Sequence, residues 1–230
     1  MKKLFTIAAL FILLPFYSQN GNVVTQQRNT SDYNSIGISG SFKVTLVNGK
    51  EGNITLTGEE NVLEHVVVEV EKNNLKIHIK KGSHLTNHKK VEVTIPVEDI
   101  NSVALSGSGS ITNSSPLKTN HFEVALSGSG SITLKIDGNS IDAASSGSGR
   151  IDLNGKVASI NLAVSGSGQI DSKDLTANDA STAVSGSGRI YVNAKENLKA
   201  AISGSGRIEY SGDPKKVDQI VNGSGKIYKI

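Results

Sequence analysis

Apolar and polar residues alternate with a period of two over most of the chain beyond residue 100. Before one recurring Ser-Gly-Ser-Gly segment every second position is apolar, as in Ile160, Leu162 and Val164. This alternation predicts a β-strand with one buried face. It resumes after the segment, where Ile151 and Leu153 share one face in another copy. Each unit is therefore predicted to contain a strand, a glycine-rich corner, a second strand and a variable return.

The motif Ser-Gly-Ser-Gly-x-Ile recurs seven times, at spacings of 21, 19, 19, 20, 18 and 19 residues. Its copies begin at Ser106, Ser127, Ser146, Ser165, Ser185, Ser203 and Asn222. A period near 20 indicates a repeat architecture whose units bury their apolar faces by stacking. Stacking also aligns one isoleucine from each copy, which fits a lumen: Ile111, Ile132, Ile151, Ile170, Ile190, Ile208 and Ile227.

The predicted fold is all-β, a right-handed parallel β-helix (β-solenoid) with about 19–20 residues per coil. The hand follows the usual preference of parallel crossovers. Leucine-rich repeats have a similar period, but their Leu and Asn ladder is missing here. The calcium-binding β-roll needs Asp in each turn, and a propeller blade needs about twice this period.

The chain is expected to divide into four segments. Lys2 and Lys3 precede an apolar stretch that is too short to span a bilayer comfortably, which is typical of a signal peptide. The boundaries are a signal peptide at 1–18, a loose polar segment at 19–32, a β-rich cap of longer irregular coils at 33–100 and the seven-coil solenoid at 101–230.

The cap lacks the short period but contains recognisable pieces of β-structure. Val47-Asn48-Gly49-Lys50 is predicted to be a hairpin turn, as is Lys72-Asn73-Asn74. The segment from Ile38 to Phe42 reads as a degenerate copy of the repeat. We therefore expect the irregular coils to begin the same solenoid and to protect its end.

Composition and net charge limit the classes of partner and of site that the chain is expected to have. The chain has 24 Lys and Arg against 21 Asp and Glu, a formal net charge of +3, which is too balanced to favour nucleic acid. It contains no Cys, which excludes disulfides, thiolate metal sites and a lipid-modified cysteine. We expect an exported protein, periplasmic, surface-displayed or secreted, with no transmembrane segment in the mature chain.

Catalytic and metal-binding residues are not expected. His84 and His88 have a spacing that would suit a metal on a helix, but Gly82 and the surrounding lysines favour a solvated loop. The string Ser-Gly-Ser-Gly loosely matches a nucleophile elbow, yet its repetition favours a structural role. No cofactor is predicted.

Two outward columns are candidate binding surfaces. A candidate docking strip contains Ala104, Ala125, Ala144, Ala163, Ala183 and Ala201, although short side chains would also suit a tight corner. A candidate anion column contains Arg150, Arg189, Arg207 and Lys226. The alternative for this column is charge balancing, for example between Arg150 and Asp152 or between Arg207 and Glu209. The final strand is expected to have an open edge that Lys226 and Lys229 guard or that a second chain pairs with.

These features resemble a bacterial family of auto-transporter adhesin head (GIN) domains. The resemblance lies in the Ile-Ser-Gly-Ser-Phe opening, the Val-Asn-Gly turn, the Gly-Glu-Glu-Asn-Val-Leu segment at 58–63, the strand at 75–79 and the repeated Leu-Ser-Gly-Ser-Gly. It implies an exported β-helix protein without an established activity, so no functional residues are carried over.

The most favoured function is a non-enzymatic, adhesin-like module that binds through the flat side faces of a rigid solenoid. Its expected partner is a protein or a glycan at the cell surface. The alternative is a structural or self-assembling envelope protein, which would form homo-oligomers. A carbohydrate-active enzyme is the most distant alternative, and it rests only on the use of parallel β-helices by polysaccharide lyases.

Overall fold

Strands form 74% of the computed structural model, which describes residues 22–83 and 90–230. They stack as parallel coils into a β-solenoid of about seven turns, which confirms the predicted fold class. The expected signal peptide and the two histidines of the 82–90 loop lie outside the described residues. Within those residues, no helix is long and apolar enough to cross a membrane.

The irregular first part, as far as it is described, contains seven strands and one short helix. They are β1 (Val23–Asn29), β2 (Ser35–Ser39), β3 (Lys43–Asn48), β4 (Asn53–Glu59), α1 (Glu60–Leu63), β5 (Val66–Glu71), β6 (Asn74–Ile79) and β7 (Glu92–Val97).

The regular coils follow without interruption. Their strands are β8 (Ser102–Gly107), β9 (Ser110–Asn113), β10 (Leu117–Gly128), β11 (Ser131–Gly147), β12 (Arg150–Gly166), β13 (Gln169–Gly186), β14 (Arg189–Gly204), β15 (Arg207–Ser211), β16 (Lys216–Gly223) and β17 (Lys226–Lys229).

The strands form two stacks that meet at the Ser-Gly-Ser-Gly corners. The stack before the corner runs β5-β6-β2-β8-β10-β11-β12-β13-β14-β16. The stack after the corner runs β4-β7-β3-β9-β11-β12-β13-β14-β15-β17. Strands β11 to β14 each extend from one corner to the next and belong to both stacks.

The predicted isoleucine column lies in register along the second stack. Its members are fully buried from Ile111 to Ile208, and only Ile227 in the last described coil is partly exposed. The column therefore fills the lumen, as its alternation with outward polar residues predicts.

Close stacking of the corners explains both glycines of the motif. Gly147 has φ +114°, and a Cβ there would lie 2.6 Å from the carbonyl oxygen of Gly128 in the coil before it. A Cβ on Gly149 would lie 2.6 Å from Leu126 Cδ2. Hydrogen bonds continue across the corner, because the amide of Ser148 donates to the Gly128 carbonyl at 3.0 Å. Only residues without a side chain allow corners to approach this closely.

The first irregular coil does not stack in chain order. Strands β2 and β3 pair in parallel with β8 and β9, which confirms that Ile38 to Phe42 is a copy of the repeat. Strand β2, however, also pairs with β6, so it lies between β6 and β8. The opening coil is thus inserted between two coils that follow it in the sequence.

Two predictions for the irregular part are wrong. Val47–Lys50 is not a hairpin, because β3 pairs in parallel with β7 and β9 and not with β4. Residues 19–32 are not uniformly loose, because β1 pairs antiparallel with β4 over seven residues. The turn at Lys72 and Asn73 is confirmed: their φ angles are 50° and 62°, and it joins the antiparallel strands β5 and β6.

One core position is polar although its neighbours in the same column are apolar. Ser145 stacks between Leu126 and Val164, is 2% exposed, and its Oγ has no hydrogen-bond partner. Val164 packs in the equivalent place against Gly188 of the next coil, so the corner accepts a branched side chain there.

We predict that Gly147→Ala lowers the free energy of unfolding by roughly 4 kcal/mol, because it adds a backbone collision to an unfavourable φ. Gly82→Ala is the matched control. Gly82 also has a positive φ, of 84°, but an added Cβ meets no atom within 4 Å, so its cost should be about 1 kcal/mol. Denaturant unfolding measures both, and equal costs would contradict the stacking explanation.

We predict that Ser145→Val raises the free energy of unfolding by about 1–2 kcal/mol, because it removes an unpaired buried hydroxyl and adds apolar contact. Thr182→Val is the comparison. Thr182 is equally buried, but its hydroxyl donates to the Lys199 carbonyl at 3.2 Å, so less gain is expected. The same unfolding titration checks the pair, and a destabilised Ser145→Val would show that the site is already tightly filled.

Candidate functional site

The predicted alanine strip lies on the outer side of the stack before the corner. All six alanines are exposed, and each pairs in register with the next. Adjacent strands in a sheet lie about 4.8 Å apart. The strip is therefore a continuous row of methyl groups along the solenoid axis.

A serine column runs beside the strip, two positions further along each strand. Its members are exposed, and no hydrogen bond to any of their hydroxyls is formed within the described part of the chain. They are Ser106, Ser127, Ser146, Ser165, Ser185 and Ser203. Sequence reasoning assigned these residues only to the corner. Each of these serines lies two positions after an alanine of the strip and therefore faces the same side of the sheet. This spacing was the signal that could have added them to the strip.

The two columns line a groove of about 820 Å³, here called the Ala–Ser groove. It continues across nine strands, from Lys76 and His78 on β6 to Ile220 and Asn222 on β16. At the spacing of adjacent strands its length is roughly 38 Å. The groove therefore fits an elongated ligand better than a compact one.

Charge is confined to one end of the groove. Lys76 at the end forms an ion pair with Glu71, which raises the pKa of Lys76 and lowers that of Glu71. His78 Nε2 lies 3.5 Å from Glu69 Oε1. Between Ala104 and Ser203 the lining side chains are uncharged, so a ligand would meet only methyl groups, hydroxyls and backbone.

Outside the groove, His121 Nδ1 lies 2.9 Å from Ser140 Oγ, and its Nε2 lies 3.6 Å from Glu123 and from Asp142. A serine, a histidine and a carboxylate also lie near one another at the end of the groove. Ser39 pairs with His78 across adjacent strands, and His78 faces Glu69. The ring nitrogens are already engaged, Nδ1 with the Ile79 carbonyl at 3.1 Å and Nε2 with Glu69. Neither nitrogen is placed to accept a proton from Ser39, which a nucleophilic serine requires.

The predicted anion column lies on the other side of the corner. Its members differ in how far neighbouring carboxylates neutralise their positive charge. The expected pair is present at its first member, where Arg150 Nη2 lies 2.7 Å from Asp152. The same nitrogen lies 3.0 Å from Asp171, whose side chain is 8% exposed, and the Asp152 contact raises the pKa of Arg150. Lys173 also approaches Asp171 at 3.5 Å. Arg150 is therefore committed to a local ion network.

The other members of the column have fewer partners. Glu209 contacts Arg189, at 3.8 Å, and not Arg207 as the sequence pairing predicts. Arg207 and Lys226 form no ion pair or side-chain hydrogen bond within residues 22–83 and 90–230. Binding of an anion by this column remains a prediction. No group of three or more acidic or histidine side chains in the same range could hold a metal.

A family model described as "Putative auto-transporter adhesin, head GIN domain" matches residues 32–214. No curated protein matches the chain.

Several solved structures share this fold. A putative adhesin from Bacteroides fragilis NCTC 9343 is 24% identical, with a TM-score of 0.85 over 91% of this chain and 97% of that one. A putative lipid binding protein from Parabacteroides distasonis ATCC 8503 is 29% identical, with a TM-score of 0.79 over 92% and 98%. A putative adhesin from Parabacteroides merdae ATCC 43184 is 22% identical, with a TM-score of 0.74 over 92% and 97%.

We predict that Asp171→Asn lowers the free energy of unfolding by about 2 kcal/mol, because it removes a buried partner of Arg150 and Lys173. Asp142→Asn is the matched control, since that carboxylate is 46% exposed, and its effect should stay below about 0.5 kcal/mol. Thermal unfolding measures both. Equal effects would show that Asp171 does not hold Arg150.

Proposed function

Because the chain belongs to the family described as "Putative auto-transporter adhesin, head GIN domain", we propose that it is an exported, non-enzymatic binding module of adhesin type. Its contact surface is the Ala–Ser groove, and its partner is an elongated protein or glycan at a cell surface. Adhesin names among structures of the same fold support this class of function.

The observation that carries the proposal is the row of unpartnered serine hydroxyls beside the alanine methyls. Each hydroxyl offers one donor and two acceptor positions that no described residue uses. Covering the methyl row with a ligand would favour binding by about 25 cal/mol for each Å² of apolar surface removed from water. Because the lining between the groove's ends carries no charge, binding needs no desolvation of ions.

Repetition adds to the argument. The same methyl and hydroxyl recur in each of six successive coils, so a ligand with a regular repeat can make equivalent contacts many times. Weak contacts that act together give high overall affinity when the geometry allows simultaneous engagement. A rigid array of this kind suits adhesion better than capture of a small molecule.

Export and lack of catalysis belong to the same proposal. The basic and apolar start of the chain is typical of a signal peptide. The groove's hydroxyls have no general base beside them, and both ring nitrogens of His78 are engaged. Self-association remains a separate prediction of the sequence, and light scattering over a range of concentrations tests it.

The proposal is tested with the double variant Ala144→Lys/Ala183→Lys. Two lysines in the groove, about 9.6 Å apart, should block an uncharged ligand and weaken binding to an immobilised, desialylated mucin at least tenfold. Surface plasmon resonance with the chain from residue 19 onward measures this. Both positions are exposed, so the fold should persist, as circular dichroism would show.

The matched control is Thr133→Lys/Asn139→Lys, which adds the same charge at exposed positions outside the groove. Binding by the control should equal that of the unchanged chain. Equal binding by the groove variant would reject the groove as the contact surface. No binding of the unchanged chain to mucin, fibronectin or collagen would count against the adhesin class itself.

Lipid binding is a second candidate, favoured by the row of methyl groups and by the structure described as a putative lipid binding protein. An acyl chain lying along the groove would cover these methyls. The expected result is saturable enhancement of cis-parinaric acid fluorescence by the unchanged chain and its loss in Ala144→Lys/Ala183→Lys. Absence of any enhancement would remove this candidate while leaving adhesion untouched.

A further inference from the structure

A second surface lies across the corner from the Ala–Ser groove, in the last three coils. Two columns stack side by side there, one basic and one aromatic and acidic. Together they form what we call the Tyr–Arg patch, which contains Arg189, Arg207, Lys226, Tyr191, Glu209 and Tyr228.

One side of the patch is internally organised. The Arg189 guanidinium lies 6.0 Å from the centre of the Tyr191 ring, and its Nη1 donates to the Tyr191 hydroxyl at 3.3 Å. Its Nε lies 3.8 Å from Glu209 Oε1. Interaction with the Glu209 carboxylate raises the pKa of Tyr228. The Glu209 carboxylate is thus held between two tyrosines and compensated by Arg189.

The other side of the patch carries uncompensated charge. Arg207 and Lys226 are exposed, stack directly on each other, and have no ion-pair partner in the described chain. Arg189 stacks on Arg207 in turn. Three cations against the single carboxylate of Glu209 leave an excess of two positive charges. Like charges on adjacent strands repel each other, and a bound anion would relieve that repulsion.

We infer that the Tyr–Arg patch binds an acidic polysaccharide through the carboxylates of its uronic acid units. Arg207 and Lys226 are the carboxylate contacts, and the guanidinium of Arg207 can engage both oxygens at once. Tyr191 and Tyr228, about 9.6 Å apart, offer ring faces to successive sugars. Glu209, whose side chain is only 13% exposed, lies between them and holds Arg189.

The patch favours this ligand over other anions for two reasons. A simple phosphate would not need aromatic rings to bind. In this patch Tyr191 lies in the same coil as Arg189, and Tyr228 lies in the same coil as Lys226. A long nucleic acid would need an extended basic surface. In the two coils before the patch, however, the same column contains Gln169, which is uncharged, and Arg150, whose charge is neutralised by ion pairs. The inference does not depend on what occupies the Ala–Ser groove.

The experiment is calorimetric titration of the chain from residue 19 onward with polygalacturonate and with the same polymer after carboxyl reduction. The acidic polymer should bind, and the reduced polymer should bind at least tenfold more weakly. Arg207→Gln/Lys226→Gln should weaken binding of the acidic polymer at least tenfold and flatten its salt dependence. Tyr191→Ala should weaken binding while keeping the salt dependence, since it removes a ring face and no charge.

Lys118→Gln/Lys156→Gln is the matched control, because it removes the same charge at exposed positions on other faces. It should bind like the unchanged chain, and circular dichroism should show all variants folded. Equal loss in patch and control variants would overturn the inference, as would failure of polygalacturonate to bind. Tighter binding of a single-stranded oligonucleotide would overturn it too, because the patch would then select polyanions in general.

Discussion

The fold depends on the close approach of one glycine corner to the next. Each corner donates backbone hydrogen bonds to the one before it, and at Gly147 and Gly149 a single added carbon would meet a carbonyl oxygen or a leucine methyl. Once the corners are fixed at this spacing, the residues that flank them on both sides fall into register. The isoleucine lumen, the alanine strip and the basic column are all consequences of that alignment.

The same constraint shapes both outer surfaces. Beside the corner on one stack, methyl and hydroxyl groups repeat from coil to coil and leave a groove without charge. On the other stack longer side chains begin immediately after the corner, so charges from neighbouring coils meet. Some are compensated, as at Arg150, and others, as at Arg207, are left to solvent or to a ligand. A single scaffold thus carries two surfaces of different chemistry.

The sequence was sufficient for features that repeat. The period predicts the corners and the buried isoleucines, and parity predicts that the alanines face outward. Features that depend on which coils lie next to each other could not be predicted from the sequence. No local signal places β2 between β6 and β8, and Val47–Lys50 has the composition of a hairpin although its flanking strands pair elsewhere. Glu209 contacts Arg189 rather than Arg207 because side chains reach across coils as well as along a strand.

The central claim is that the Ala–Ser groove is the contact surface. The chain contains no Cys, so Ser165→Cys and Thr133→Cys each provide a single site for an environment-sensitive fluorophore, one inside the groove and one outside. On addition of desialylated mucin, the label at position 165 should shift to the blue and become protected from iodide quenching, while the label at 133 stays unchanged. A response at 133 alone, or at neither position despite binding, would contradict the claim.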